Sequence, residues 1–250
     1  MTGDVTVVLP CGGSGRRLGL PFAKELLPLG PGRTPLDATL DLLRPHAGRL
    51  RLVVVLGPQR EATARHILAM AGQTPVAFIP QQPALRESTG AVLSAGPWFG
   101  ERNLVLLPDQ ILTSPPPDPA GQALDLLREA PFCFLASREN DPVKISRDGA
   151  LRISDTSPAR LLAYAEHPAA GDAAGFNAVW FGFGFRREHA IPALSLMHRA
   201  VCGEPVTPAD VAASPLAGCP VLDTGPHRDA GTWPAVLDLW GDTIRKGTCR

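Results

Sequence analysis

The chain has 250 residues, 44% hydrophobic and 19% charged, enough for one large α/β domain with a sizeable buried core. Lys plus Arg (24) balance Asp plus Glu (24), which excludes a basic field holding nucleic acid through its phosphates, and no apolar run reaches membrane-spanning length. The five cysteines, Cys11, Cys133, Cys202, Cys219 and Cys249, form no CxxC pair, and the N-terminus lacks a signal-peptide pattern, so reduced thiols and a cytoplasmic location are expected.

In chain order, β-branched and leucine-rich runs predict buried strands at 4–10 (DVTVVLP), 51–57 (RLVVVLG), 75–79 (PVAFI), 103–108 (NLVLLP) and 131–137 (PFCFLAS). Segments with apolar residues at helical spacing lie between them, at 35–46, 59–71, 88–96 and 120–129. This alternation predicts an α/β fold with a doubly wound, mostly parallel sheet. From about 140 to 170 the pattern loosens, and Val143 to Ile145 is expected to pair with Ala150 to Ile153 as a hairpin around Asp148-Gly149, a small β insertion. A strand at 177–185 and a helix at 187–201 resume the alternation, followed by a Pro-rich connector at 203–220, a short strand at 220–223 and a helix near 233–245. No internal repeat or long linker divides the chain, so a single domain over 1–250 is expected.

The first strand runs into Cys11-Gly12-Gly13-Ser14-Gly15-Arg16-Arg17-Leu18-Gly19 at the sheet edge where open α/β folds bind ligands. Glycines let successive N–H groups face a polyphosphate without intervening Cβ atoms. The dinucleotide pattern GxGxxG fails at Leu18, and the P-loop pattern fails for want of Gly-Lys-Ser/Thr. Cys11 beside this loop is read as a small packing residue rather than a reactive thiol. Further on comes Lys24-Glu25-Leu26-Leu27-Pro28, with Lys24 one of only three lysines beside Lys144 and Lys246.

The stretch GGSGRRLGLPFAKELLPLG resembles the signature of sugar-phosphate nucleotidylyltransferases of the glucose-1-phosphate thymidylyltransferase type. Only six residues separate Arg17 from Lys24, a shortening that approaches small cytidylyltransferases. The resemblance implies a Rossmann-like nucleotide-diphospho-sugar transferase fold, with a nucleotide-binding half at about 1–138 and an acceptor-binding half at about 139–250. It implies that Gly12, Gly13, Ser14 and Gly15 wrap an NTP, that Arg17 clasps its β and γ phosphates, and that Lys24 binds oxygens near the α-phosphorus. In-line displacement at phosphorus needs charge neutralisation and positioning more than covalent help, so Arg and Lys suit these places.

Gln81-Gln82-Pro83 and Glu87-Ser88-Thr89-Gly90-Ala91 lie where the family reads the base. Gln82 is preferred, because a carboxamide offers both a donor and an acceptor to a pyrimidine edge. Glu87 stands where the family has glycine and is read either as a nucleotide contact or as a helix-start residue complementing the dipole. Asp109, delivered by the strand Leu104 to Pro108, is placed to hold Mg²⁺ against the α-phosphate. The second metal carboxylate is implied by a D-x-G-T-W-like segment, so Asp229 is preferred and Asp223 held in reserve. The family's acceptor-binding E-K-P motif is sought at Ser154 to Pro158, where no lysine stands, and Lys144, Asp155 and Asn177 are the substitutes.

The expected reaction transfers NMP from an NTP, with a pyrimidine favoured, to a phosphorylated small molecule, releasing pyrophosphate. That acceptor would be a sugar 1-phosphate or a related sugar or alcohol phosphate or phosphonate. No nucleic acid or membrane partner is expected, and a homo-oligomer is compatible with the sequence. The alternatives are a nicotinamide-dependent oxidoreductase, disfavoured because Val54-Val55-Leu56-Gly57 brings no acidic residue to the end of the second strand, and a non-catalytic nucleotide-binding relative.

Overall fold

The structure, a computed structural model, describes residues 5–13, 18–30 and 32–247, with side chains to residue 241. The strands are β1 (Val5–Cys11), β2 (Leu50–Leu56), β3 (Val76–Pro80), β4 (Arg102–Leu106), β5 (Gln110–Leu112), β6 (Phe132–Arg138), β7 (Gly149–Ile153), β8 (Ala159–Glu166), β9 (Ala178–Arg186), β10 (Pro220–Asp223) and β11 (His227–Asp229). The α-helices are α1 (Pro35–Leu43), α2 (Glu61–Met70), α3 (Glu87–Ser94), α4 (Pro119–Leu126), α5 (Pro142–Ile145), α6 (Ala190–Val201), α7 (Pro208–Ala212) and α8 (Trp233–Gly247).

Nine strands form one sheet in the order β3-β2-β1-β4-β9-β6-β10-β8-β7, and β5 with β11 form a second sheet of two. The run β3-β2-β1-β4 is parallel, so the chain must cross over between neighbours, and α1, α2 and α3 supply the crossovers. β9 runs antiparallel between β4 and β6, the one reversed strand at the centre. The doubly wound, mostly parallel sheet expected from the alternation is therefore present.

Successive side chains of a strand leave opposite faces, and the core divides accordingly. Val8, Val53, Val55, Val105, Phe132, Phe134, Phe183 and Phe185 pack on one face with α3 and α6. Val7, Leu9, Leu52, Val54, Leu104 and Leu106 pack on the other with α1, α2 and α4. Burying each such side chain contributes roughly 1.5–3 kcal/mol.

The insertion differs from expectation. Val143 to Ile145 belong to the short helix α5, started by Asp141, whose carboxylate accepts the Val143 N–H at 2.9 Å, and by Pro142 in the first turn. The hairpin is β7 with β8 instead, its turn lies at 154–158, and Asp148 leads directly into β7. The Pro-rich connector also contains α7, held by a capping box between Thr207 and Asp210.

Candidate active site

The carboxyl ends of β1, β2, β3 and β4 open on one side of the sheet, where a cleft of about 820 Å³ lies. One end is lined by Gly12, Gly13, Lys24, Glu25, Asp109 and Asp229. The other is lined by Arg147, Asp148, Gly149, Glu166, His167 and Trp180, with Gln81, Arg86, Glu87 and Ser88 also on its wall.

At the first end the backbone comes close to itself. A Cβ on Gly57 would meet the Gly12 carbonyl at 2.7 Å, so that position requires glycine, while one on Gly12 would push the Gln81 carboxamide aside. Arg60, ahead of α2, donates to the carbonyls of Cys11, at 3.3 Å, and Gly13, fixing the start of the loop. Ser14, Gly15 and Arg17 lie outside the described residues. Cys11 is buried, and burial pushes its thiol well up, with the Glu25 and Asp109 carboxylates adding to the effect and Arg60 opposing it; such a thiol stays protonated and inert.

Lys24 sits on a single 3₁₀ turn and ion-pairs with Asp109 through Oδ2. Burial opposes the ammonium charge, yet Asp109, Asp229 and Glu25 together outweigh it and raise the lysine pKa. Lys24 is therefore a fixed cation at neutral pH. Glu25 is almost fully buried and accepts the Thr63 hydroxyl at 3.0 Å; burial raises its carboxyl, with its hydrogen bonds and Arg60 opposing.

Asp109 and Asp229 are brought together by the two-stranded sheet. Asp229 is in register with Gln110, and the Ala230 N–H donates to the Asp109 carbonyl at 2.9 Å. Behind them, the Ser137 hydroxyl donates to the Gly225 carbonyl at 2.6 Å and lies 2.6 Å from His227 Nδ1, which ties β11 to β6. Burial depresses His227 to about 4, against weaker opposition from Glu139 and Asp109, so this imidazole is neutral. The reserve candidate Asp223 does not line the cleft. It is half exposed at the end of β10, 3.6 Å from Arg138, and accepts the Gly225 N–H at 3.0 Å in a turn.

The base-side expectation shifts by one residue. Beyond β3 consecutive side chains face opposite ways, so Gln81 lines the cleft while Gln82 is exposed and outside it. The Gln81 amide donates to the carbonyls of Leu85, at 2.7 Å, and Glu87, at 3.2 Å, which turns its oxygen toward Gly12. Glu87 lines the cleft, begins α3 and has φ +62°, a left-handed conformation that suits the glycine the resemblance places here.

None of the three acceptor candidates lines the cleft. Lys144 is exposed and pairs with Glu139 at 3.1 Å, and Asp155 is 96% exposed with Arg138 at 3.5 Å. Asn177 mimics a strand residue, its carboxamide accepting from the Ile153 N–H at 2.8 Å and donating to the Ile153 carbonyl at 3.0 Å. The turn at 154–158 is outside as well. The residues that do face the cleft are Glu166-His167 at the end of β8, followed by Pro168, an E-H-P sequence twelve residues beyond Ser154 that is not among the expected positions.

Glu166 Oε1 accepts both the Tyr164 hydroxyl at 2.7 Å and the Trp180 indole N–H at 2.9 Å. Burial raises its carboxyl to about 7; the two hydrogen bonds oppose this and the Asp148 charge adds to it. Trp180 lies so close over Gly149 that any Cβ there would strike the indole. His167 has φ +46° and its N–H donates to the Asp148 carbonyl at 3.2 Å, locking the two strand ends together.

A glycine turn, a cation and two carboxylates at the carboxyl edge of a doubly wound sheet define a nucleotidyltransferase architecture. The chain belongs to the MobA-like NTP transferase domain family, which matches residues 7–148. Its fold is that of a UDP-glucose pyrophosphorylase complexed with UDP-glucose, at TM-score 0.78 and 16% identity over 98% of this chain and 100% of that one. A UTP-bound UGPase from Acinetobacter baumannii superposes at TM-score 0.67 and 17% identity over 97% and 93%. A mannose-1-phosphate geranyltransferase from Thermus thermophilus gives TM-score 0.63 and 23% identity over 95% and 79%. No curated protein matches the chain in sequence. Among the described residues, no helix is long and apolar enough to cross a membrane.

Proposed function

We propose that this nucleotidyltransferase moves NMP from a pyrimidine NTP to a sugar 1-phosphate or a related sugar or alcohol phosphate or phosphonate, releasing pyrophosphate. The observation that carries this reading is the convergence of Gly12, Gly13, Lys24, Asp109 and Asp229 on one end of a cleft whose other end presents Glu166 and His167. The neighbours described as holding UDP-glucose or UTP support the same substrate pair.

Two aspartates, Asp109 in the turn before β5 and Asp229 at the end of β11, are hard oxygen donors suited to Mg²⁺. Among the described residues no set of three His, Cys, Asp or Glu side chains is grouped to hold a metal alone, so Asp109 and Asp229 would share the ion with triphosphate oxygens and water. When bound, Mg²⁺ neutralises phosphate charge and orients the triphosphate. The N–H groups of the glycine turn would face phosphate oxygens, and Lys24 would neutralise charge as the acceptor oxygen bonds to the α-phosphorus and the bond to the departing pyrophosphate breaks. Gln81 Oε1, fixed as an acceptor by the bonds from its own amide, suits the imide N–H of uracil or thymine. Glu166 would take acceptor hydroxyls, while His167 and Arg147 would face its phosphate.

The test is pyrophosphate release with each of the four NTPs against a panel of hexose 1-phosphates, sugar-alcohol phosphates and a phosphonate. Magnesium-dependent turnover with UTP or dTTP and one acceptor class is expected. No turnover with any pair, despite NTP binding, would leave a non-catalytic nucleotide-binding protein.

A further inference from the structure

The segment that carries Lys24 is held in place from outside by the C-terminal helix. Between Leu18 and Pro28 its only regular structure is the 3₁₀ turn Lys24–Leu26, closed by the bonds Leu26 N–H to Ala23 and Leu27 N–H to Lys24. One such turn does not fix a segment of this length. Two indoles of α8 supply the missing constraint. Trp233 Nε1 donates to the Leu18 carbonyl at 3.1 Å, and Trp240 Nε1 donates to the Pro28 carbonyl at 2.6 Å. The rings sit edge to face, 6.4 Å apart, and Val236 between them in sequence packs on Leu18 and Leu27. The Lys24 segment is thus bracketed at both ends by one helix. That helix starts four residues after Asp229 and two after the cleft residue Gly231.

We propose that Trp233 and Trp240 are positioning residues that set Lys24 and Asp229 as one unit, so that the cation and the metal carboxylate meet the triphosphate in fixed relation. The inference rests on the nucleotide-transfer reading above. Neither indole lines the cleft, so the effect passes through the backbone carbonyls they hold. It follows that breaking the two bonds loosens the hold on the nucleotide and leaves the acceptor end, built on β7, β8 and β9, untouched.

The experiment uses the double variant Trp233→Phe with Trp240→Phe, which keeps an aromatic ring at each position while removing the smaller half of the indole with its N–H donor. KM and kcat are measured for each substrate, Mg²⁺-NTP affinity by calorimetry without acceptor, and Tm by thermal unfolding. The expected result is a loss of about 5- to 20-fold in NTP affinity and in kcat/KM for NTP, with acceptor KM within about twofold and Tm within a few degrees. Unchanged NTP affinity in the folded double variant overturns the proposal. So does an equal loss for both substrates together with a large fall in Tm, the mark of a merely structural role. If the double variant does not fold, Trp240→Phe alone carries the same comparison. A wild-type chain that binds NTP but transfers it to nothing sinks the parent reading and leaves the affinity arm decisive, whereas one that binds no NTP sinks both.

Discussion

The two ends of the cleft are built differently. The end proposed to hold the nucleotide is assembled from turns that follow parallel strands, where the sheet edge itself aims Gly12, Gly13 and Asp109 at a common point, and one short antiparallel pair adds Asp229. The end proposed to hold the acceptor is assembled from residues on and at the ends of antiparallel strands, where position depends on register: Glu166 faces the cleft because it is paired with Gly149. The first design leaves marks in local sequence; the second spreads its residues over a hairpin and a distant strand. It also lets the nucleotide end stay fixed while the acceptor end is changed by substitutions on β7, β8 and β9.

Separate loss of the two functions would sharpen this contrast. The largest effect is expected at the nucleotide end, where Lys24→Ala or Asp109→Ala should lower kcat by about 10²- to 10³-fold, since each acts on developing charge. Circular dichroism should show both variants folded, and near-normal turnover in either would remove that residue from the mechanism. At the acceptor end, Glu166→Gln should raise acceptor KM about tenfold while NTP KM stays within twofold, as steady-state kinetics would show. A change confined to NTP would reverse the assignment of the ends.

Two buried groups, His227 behind the paired aspartates and Glu166 in the cleft, titrate in opposite senses. Between about 4 and its ordinary 6.5, His227 in the unfolded chain binds a proton that the native chain refuses, so stability falls as pH drops through that window. Between its ordinary 4.5 and about 7, native Glu166 holds a proton that the unfolded chain has released, so stability falls as pH rises. Urea unfolding at pH 5 and pH 7 should therefore show His227→Asn losing, and Glu166→Gln gaining, on the order of 1–2 kcal/mol relative to wild type as the pH is raised. Parallel pH profiles for the three proteins would contradict the burial of both groups. A smaller effect is expected on the base side: Gln81→Ala should raise KM for the preferred NTP a few-fold while Gln82→Ala leaves it unchanged, as a comparison of NTP KM values would reveal.

The sequence exposed the parallel half almost whole, because its strands are continuous buried runs such as Leu50–Leu56 and its glycine turn follows a strand end directly. The acceptor half departs from its expectation at one point. Val143 to Ile145 carries apolar residues short enough to fit either strand or helix, and Asp148-Gly149 reads as a hairpin turn, yet Asp141-Pro142 is a helix start and wins. The expected hairpin therefore lies earlier in the chain than the observed one, and β8, with its Glu166-His167-Pro168 ending, falls where the pattern looked irregular. The three-residue strands β5 and β11 are too short to show any period, so the pairing that unites Asp109 with Asp229 was legible only as two separate motifs. Gln81 and Gln82 differ only in which face they take, and that depends on where the preceding strand ends.

The most direct test of the shared nucleotide and metal site is anomalous diffraction from crystals grown with Mn²⁺ and a non-hydrolysable analogue of the preferred NTP. A manganese peak between the Asp109 and Asp229 carboxylates, with the triphosphate against Gly12 and Gly13 and Lys24 turned onto its oxygens, is the expected result. Manganese at Asp223, or a nucleotide bound away from the glycine turn, would contradict it.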